Sequence, residues 1–439
     1  MVAVGFATLI ILGGLVLTLP ISSADGSVTP VLSAMFTSAS AVSLTGLIVE
    51  DAGTHWSEFG HATILALIQM GGLGIMSLTS LAGMALTGKL SLRTRLNTAA
   101  EGRAQSAGDV RRTVIATLLL TVVVELCAAV ILFCRFFFHY GMGFGKAAWW
   151  GLFHAVSGFN NAGFGMRQDS LMTWVGDGWI VLTLGAALVI GGMGFPVWAD
   201  LFRHRPRRDS RLRLSTPLMI TTKVTLVGTA VLIVLGVLLV ALGEWNGAME
   251  GMPTHDKILG SIFQGVTPRT AGFNSLDYGQ FHPTTLMGTD ILMIIGGGSA
   301  GTAGGIKMTT CAVLVAAIIA EFRGEKSSVL WGRRLDHTVV RQALTVATLG
   351  ISVVVVTIGA IQVFDPQFTS DRITFEVISA FATVGLTTGI TPALSAPSQI
   401  LLILVMYLGR IGPITLVTAL ALRNTQRRYE LPTERPYIG

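Results

Sequence analysis

Residues 263–273 read FQGVTPRTAGF, and a segment of the same build occurs three more times along the chain. The others are FTSASAVSLTGL (Phe36–Leu47), FHAVSGFNNAGF (Phe153–Phe164) and ISAFATVGLTTG (Ile378–Gly389). Aligned on one glycine they give SLTGL, NNAGF, RTAGF and ATVGL, and that glycine is Gly46, Gly163, Gly272 and Gly385 in turn. The glycines recur at roughly 110 residues, longer than a solenoid unit but an internal repeat all the same. Only about 10–12 residues of helical character precede each loop, too few to cross a bilayer and suited to a re-entrant helix. Non-helical backbone at membrane depth persists only where it is buried or lines water. Four such loops therefore suggest one shared axis.

The composition agrees. Hydrophobic residues make up 51% of the 439 and charged residues 12%, with a mean hydropathy of +0.67. Soluble domains carry about 25% charged residues, so the chain reads as an integral membrane protein. The expected spans are 2–20, 60–87, 112–138, 174–202, 217–243, 286–320, 338–364 and 398–422, with pore helices at 29–40, 147–158, 256–266 and 371–382. The first run, Val2–Leu19, lacks a charged n-region and reads as a retained helix rather than a signal peptide. Grouped by loop, the chain divides into units 1–90, 91–205, 206–325 and 326–425, followed by a polar tail, 426–439. Cys127, Cys134 and Cys311 all lie in apolar runs and form neither a disulfide nor a metal spacing.

The net charge of +6 collects at Lys89–Arg112, Arg203–Lys223, Arg323–Arg341 and Arg423–Arg435, while acidic residues occupy the intervening loops. The positive-inside rule makes those clusters, and with them both termini, cytoplasmic. Membrane topology accounts for the arginines without a nucleic-acid partner. The chain has no HExxH motif and no Cys/His metal set, so an enzyme is not expected.

A dehydrated cation needs oxygen ligands, and rings of backbone carbonyls supply them without fixed charge. Successive carbonyls face one axis only if some residues take left-handed dihedrals, which glycine adopts at little steric cost. The expected ion-binding residues are Thr45, Gly46, Asn161, Ala162, Gly163, Thr270, Ala271, Gly272, Thr383, Val384 and Gly385, holding the cation by backbone carbonyls. Arg269, beside the third loop, must point away, toward an acidic partner. Glu376 suits acceptance of loop N–H groups or a buried structural role, and His154 a packed or hydrogen-bonded one.

One further stretch is unusual: GGGSAGTAGGIKMTT, residues 296–310, inside an apolar segment at 286–320. As one helix those residues would reach about 50 Å, against a hydrocarbon core of about 30 Å. A helix broken over 296–305 fits better, since each glycine costs about 1 kcal/mol in a helix relative to alanine. Gly296-x-Gly298-x-x-Gly301 matches a dinucleotide fingerprint only formally, without a strand before it, and Gly305–Thr309 is not a phosphate-binding loop. Lys307 and Arg410 are intramembrane cations, which are rare and functional by default; snorkelling toward water is the alternative for Lys307.

The four-loop pattern, the glycine-rich break and YLGRIGPIT (Tyr407–Thr415) resemble the Trk/Ktr/HKT superfamily of K⁺ transporters over nearly the whole chain, most closely the bacterial Ktr membrane subunits. The resemblance implies an all-α membrane fold of four covalently joined helix–pore-loop–helix repeats with pseudo-fourfold symmetry about one pore, eight transmembrane helices and four pore helices. It implies inward K⁺ (and Rb⁺) conduction across a bacterial cytoplasmic membrane, by a homodimer under a cytosolic KtrA-like, RCK-type nucleotide-binding ring. Nucleotide then belongs to the partner, and Na⁺ enters as an activator. The family's selectivity glycines map onto Gly46, Gly163, Gly272 and Gly385. Serine at the first accompanies Na⁺ preference in plant relatives, so four glycines favour K⁺; Leu44 departs modestly from the common first loop. The family's intramembrane gate maps onto Gly296, Gly297, Gly298, Gly301, Thr302, Gly304, Gly305 and Lys307, with Arg410 facing it. A Na⁺-permeable or proton-coupled transporter of the same fold is the alternative; Glu125 is the main carboxylate in a span that a proton path would use.

Overall fold

The structure, a computed structural model, describes residues 2–74, 110–203, 218–299, 301–325 and 327–412. Helices α1 (Val2–Leu17), α2 (Val31–Ser43) and α3 (Glu58–Leu73) form a first group. A second comprises α4 (Val110–Cys134), α5 (Phe144–Phe159), α6 (Gly178–Met193) and α7 (Phe195–Arg203). A third comprises α8 (Ile220–Glu244), α9 (Thr254–Val266), α10 (Pro283–Ile294) and α11 (Met308–Phe322). An antiparallel hairpin, β1 (Val329–Leu330) and β2 (Arg333–Arg334), leads to α12 (His337–Phe364), α13 (Ser370–Phe381) and α14 (Ala396–Ile411).

The four short helices expected between spans are α2, α5, α9 and α13, within a few residues of their expected bounds. In each group the preceding helix packs on the short one: α1 on α2, α4 on α5, α8 on α9, α12 on α13. Contacts between groups close a circle, with α3 against α5, α6 against α9, α10 against α13 and α14 against α2. Polarity is inverted relative to a soluble protein. The outer faces of α4, α8 and α12 expose Leu119, Val130, Val231, Val234, Val355 and Val356, while α2 buries Ser33, Thr37, Ser38, Ser40 and Ser43. Such an apolar exterior requires lipid, since soluble surfaces do not carry contiguous apolar faces of this extent.

Among the described residues, three helices are long and apolar enough to cross a membrane unaided: Ile115–His139, Ile220–Glu244 and His337–Phe364. Two of the expected spans that follow a loop are interrupted. The one expected at 174–202 is bent by 88° between α6 and α7. The one expected at 286–320 divides into α10 and α11. Helices α3 and α14 stop before Gly74 and Gly412; the rest of the expected spans 60–87 and 398–422, three of the basic clusters in large part, and the tail lie outside the described residues.

Glycine explains the stops. Gly74 (φ 73°, ψ 142°), Gly194 (φ 85°, ψ 150°) and Gly412 (φ 81°, ψ 139°) share one backbone conformation. It lies close to the region that only glycine occupies without strain. Three residues earlier stand Gly71, Gly191 and Gly409, where a Cβ would overlap the carbonyl oxygen of Val42, Phe159 and Phe381. The first glycine of each pair seats the helix against the end of a short helix, and the second ends that helix; at Gly194 the chain turns there into α7. Replacing Gly194 by alanine is expected to cost about 1–3 kcal/mol and to lower the melting midpoint of the purified protein. Gly359→Ala, in open space on α12, serves as control and should be neutral or slightly stabilising. Equal midpoints for the two variants would mean that the bend does not depend on glycine.

Candidate functional site

The C-terminal ends of α2, α5, α9 and α13 all run into buried loops. In each loop a non-glycine residue takes the left-handed conformation two positions before the aligned glycine: Leu44 (φ 61°), Asn161 (φ 57°), Thr270 (φ 68°) and Thr383 (φ 50°). The glycines are left-handed too, at φ 92°, 71°, 70° and 88° for Gly46, Gly163, Gly272 and Gly385. The intervening N–H groups turn back onto the helices, with Thr45 N to Ser40 O, Ala162 N to Ser157 O and Val384 N to Ser379 O each at 2.8 Å. Ser40 and Ser379 also accept from Gly46 N and Gly385 N through Oγ, at 3.0 Å.

The loops meet at one place. A Cβ at Gly46 would lie 2.5 Å from Ala162 O, one at Gly163 2.7 Å from Gly272 Cα, and one at Gly272 2.6 Å from Val384 O and 3.2 Å from Thr45 O. At Gly385 it would overlap Thr45 O. Thr45, Ala162, Ala271 and Val384 thus place their carbonyls against neighbouring loops, and no side chain larger than hydrogen fits at the four glycines. Thr270 Oγ1 and Thr383 Oγ1 are buried there without hydrogen-bond partners. All eleven residues expected at this site are brought together.

The glycine-rich segment folds out and back directly against these loops. Gly296 N donates to Ile306 O at 2.8 Å and Met308 N to Gly297 O at 3.1 Å, closing its base. Gly298 N reaches Gly192 O on α6 at 2.9 Å. Its tip touches the four-loop site: Thr302 Oγ1 donates to Asn161 Oδ1 at 2.9 Å, Gly304 abuts the Thr383 side chain, and Gly305 (φ 65°) abuts Ala382. Gly297 and Gly301 press on Gly192 O. Arg410 donates through Nη1 to Thr302 O and through Nη2 to Gly71 O, the latter at 2.7 Å. Lys307 donates to Ala303 O, so its ammonium binds the segment's own carbonyl. Both expected cations therefore serve the break.

Glu376 takes both roles expected of it. It is buried and accepts from Thr387 Oγ1 (2.6 Å), Thr388 N (2.8 Å), Thr388 Oγ1 (3.1 Å) and Thr391 Oγ1 (2.7 Å). His154 is buried and hydrogen-bonded, with Nδ1 2.8 Å from Trp150 O. Glu125 is held by Gln69 Nε2 at 3.3 Å and Asn160 Nδ2 at 2.9 Å, one residue from Asn161. The third loop departs in one respect: Val266 stands where the others have Ser40, Ser157 and Ser379. There the amide of Gln264 lies within hydrogen-bond distance of Thr267, Ser275 and Tyr278. Arg269 points behind its loop as expected, but no acidic partner meets it among the described residues. In the segment after the second loop, Arg167 Nε bonds Asp169 Oδ1 at 2.7 Å. Burial there pushes the Asp169 carboxyl up, and its bonds from Arg167 and Thr173 outweigh that, leaving it below its ordinary value.

The serines six residues before Gly46, Gly163 and Gly385 are not singled out in the sequence reading, and Leu44 stands out there only as a departure from the common first loop, not as a left-handed residue. The serines recur in the aligned segments and are visible once the loops are superposed. The left-handed backbone of Leu44 carries no signal, because a left-handed leucine is dictated by its neighbours and not by its own preference.

These features define an α-helical membrane protein with backbone carbonyls converging at its buried centre. The chain belongs to the TrkH family of cation transport proteins, whose family profile matches residues 7–430. It is 39% identical to the Ktr system potassium uptake protein B of Bacillus subtilis (strain 168), over 100% of this chain and 96% of that protein. It is 35% identical to the potassium/sodium uptake protein NtpJ of Enterococcus hirae, with the same coverage. The crystal structure of the potassium transporter TrkH from Vibrio parahaemolyticus superposes with a TM-score of 0.71 at 19% identity, covering 97% of this chain and 84% of that one, and shows the shared fold.

Replacing Glu376 by leucine removes the carboxylate that accepts from three threonine hydroxyls and one buried N–H. The expected loss exceeds about 3 kcal/mol, read as a collapse of monodisperse purified protein. Glu376→Gln keeps one acceptor oxygen and should lose clearly less. Equal losses would show that the bonds to Thr387, Thr388 and Thr391 do not hold this loop.

Proposed function

We propose that the chain is the pore-forming subunit of a K⁺ uptake system and that K⁺ passes the ring of carbonyls from Thr45, Ala162, Ala271 and Val384. The convergence of these oxygens carries the reading. Carbonyl dipoles replace the hydration shell of a dehydrated K⁺ without the fixed charge that would trap it. The unpaired Thr270 and Thr383 hydroxyls beside them add oxygen ligands, and the short helices aim their partially negative carboxyl ends at the same point. The relatives named for potassium uptake support the choice of ion.

On this reading the four groups are helix–pore-loop–helix repeats, 1–90, 91–205, 206–325 and 326–425, in pseudo-fourfold arrangement, and 426–439 is a cytoplasmic tail. The basic loops face the cytoplasm of a bacterial cell, and the inside-negative potential drives K⁺ inward with about 2.3 kcal/mol per charge per 100 mV. The segment from Gly296 to Lys307 is the gate. It blocks the path below the filter and is held closed by Arg410 on Thr302 O, by Lys307 on Ala303 O and by Thr302 on Asn161. Two copies pair in the membrane over a cytosolic nucleotide-binding ring of the KtrA type, whose conformation is relayed to this gate. Na⁺ permeation is the second reading, favoured by the potassium/sodium relative.

The test is K⁺-limited growth and Rb⁺ uptake in cells lacking their own K⁺ uptake, with and without Na⁺. Gly272→Asp should reduce uptake to background or admit Na⁺; uptake equal to wild type would remove the aligned glycines from the path. In the same assay, deletion of 297–304 and, separately, Arg410→Gln should raise uptake several-fold and weaken its regulation. Unchanged flux in both would sink the gate assignment.

A further inference from the structure

Behind the third loop, Arg269 is 7% exposed and its Nη1 has no hydrogen-bond partner. It faces a small cavity lined also by Thr229 of α8, Leu188 and Gly192 of α6, and Asn161 of the second loop. Thr229 is 6% exposed, and its Oγ1 is likewise unpartnered. That is unusual in this chain. Thr121, Thr225, Thr289 and Thr357 all return their hydroxyls to the carbonyl four residues back, at 2.8–3.0 Å, whereas Thr229 does not. Two separately positioned polar groups, each more than nine-tenths buried, thus border the same space. No carboxylate lines it. The Asn161 amide nitrogen is engaged with the Arg269 carbonyl at 3.4 Å.

Burying a charge without a partner is strongly unfavourable. The carboxyl end of α9 offsets part of it through its dipole, but no carbonyl lies within bonding distance of Nη1. A water molecule would satisfy the hydrogen bonds and leave the charge. The room is about 10 Å³, that of one water-sized sphere, so a monatomic ion asks the lining to yield least, and phosphate or a carboxylate is too large. We propose that the cavity binds a single monatomic anion of the halide class, chloride in the cell, between Arg269 Nη1 and Thr229 Oγ1. The anion neutralises a positive charge three residues from Gly272, where that charge would otherwise oppose a cation.

The test reads binding directly and holds whether or not the loops conduct. The full-length protein is purified in chloride-free gluconate buffer and titrated with bromide at constant ionic strength, following the melting midpoint. Anomalous difference density is then measured in bromide-soaked crystals. A saturable rise in midpoint with an anomalous peak beside Arg269 supports the site. Thr229→Val should raise the half-saturating bromide concentration about tenfold, the usual weight of a hydrogen bond to a charged group. Arg269→Met should abolish the response, and if that variant does not fold, Thr229→Val alone decides. No peak and no halide-specific shift in the wild type would overturn the proposal and leave a water-filled cavity. A response unchanged by Thr229→Val would place the anion elsewhere and overturn it equally.

Discussion

The structure depends on one constraint: backbone that leaves a helix inside a membrane must still find partners for its polar groups. Four chain segments break where they meet one another, and each break alone would be untenable in lipid. They resolve the problem jointly. Left-handed residues at Leu44, Asn161, Thr270 and Thr383 and left-handed glycines two positions later turn the N–H groups back to the helix ends and leave carbonyls free at the centre. Those carbonyls can stay unpaired with protein only if something else repays their desolvation. The proposed K⁺ path supplies that, because each dehydrated ion needs the same oxygens that the loops cannot otherwise satisfy.

A second set of glycines makes the first possible. Gly71, Gly191 and Gly409 let α3, α6 and α14 lie on the terminal carbonyls of α2, α5 and α13, and Gly74, Gly194 and Gly412 then end those helices. The sequences between are GL, GM and RI, so Arg410 occupies the position where the other two groups have Gly72 and Gly192. Gly192 lies beside the glycine-rich segment and Gly72 beside Asn160. At the corresponding place in the last group a guanidinium extends instead, reaching Thr302 O and Gly71 O. One side chain at an otherwise glycine position thereby ties the first and last groups to the segment contributed by the third.

Much of this was legible in the sequence because glycine and charge are conspicuous in apolar runs. The four short helices, the eleven loop residues and the break at 296–305 follow from spacing, from helix length against bilayer thickness, and from the cost of glycine in a helix. The bend at Gly194 and the helix ends at Gly74 and Gly412 do not. Each sits in a run whose hydropathy continues unbroken across it, so length alone gave one straight helix where the chain turns through 88° at Gly194. Leu44 shows in the sequence only as a departure from the common first loop, because its left-handed conformation is imposed by packing. Arg269 was expected to meet a carboxylate because buried cations generally do; which residue or ion answers a buried charge is a tertiary fact that local sequence does not encode.

On the proposed reading, selectivity and gating share atoms. Asn161 sets the second loop through its left-handed backbone while its side chain holds Thr302 of the plug. Thr383 sets the fourth loop in the same conformation and meets Gly304. Withdrawal of the segment therefore removes a hydrogen bond from one filter residue and a packing contact from another in the same movement. Coupling of this kind is reciprocal by thermodynamic necessity. An ion that stabilises the loops in a geometry with a freed Asn161 side chain favours withdrawal of the plug by the same free energy with which withdrawal favours the ion. A filter so built responds to its gate without a long pathway, because the two are in direct contact.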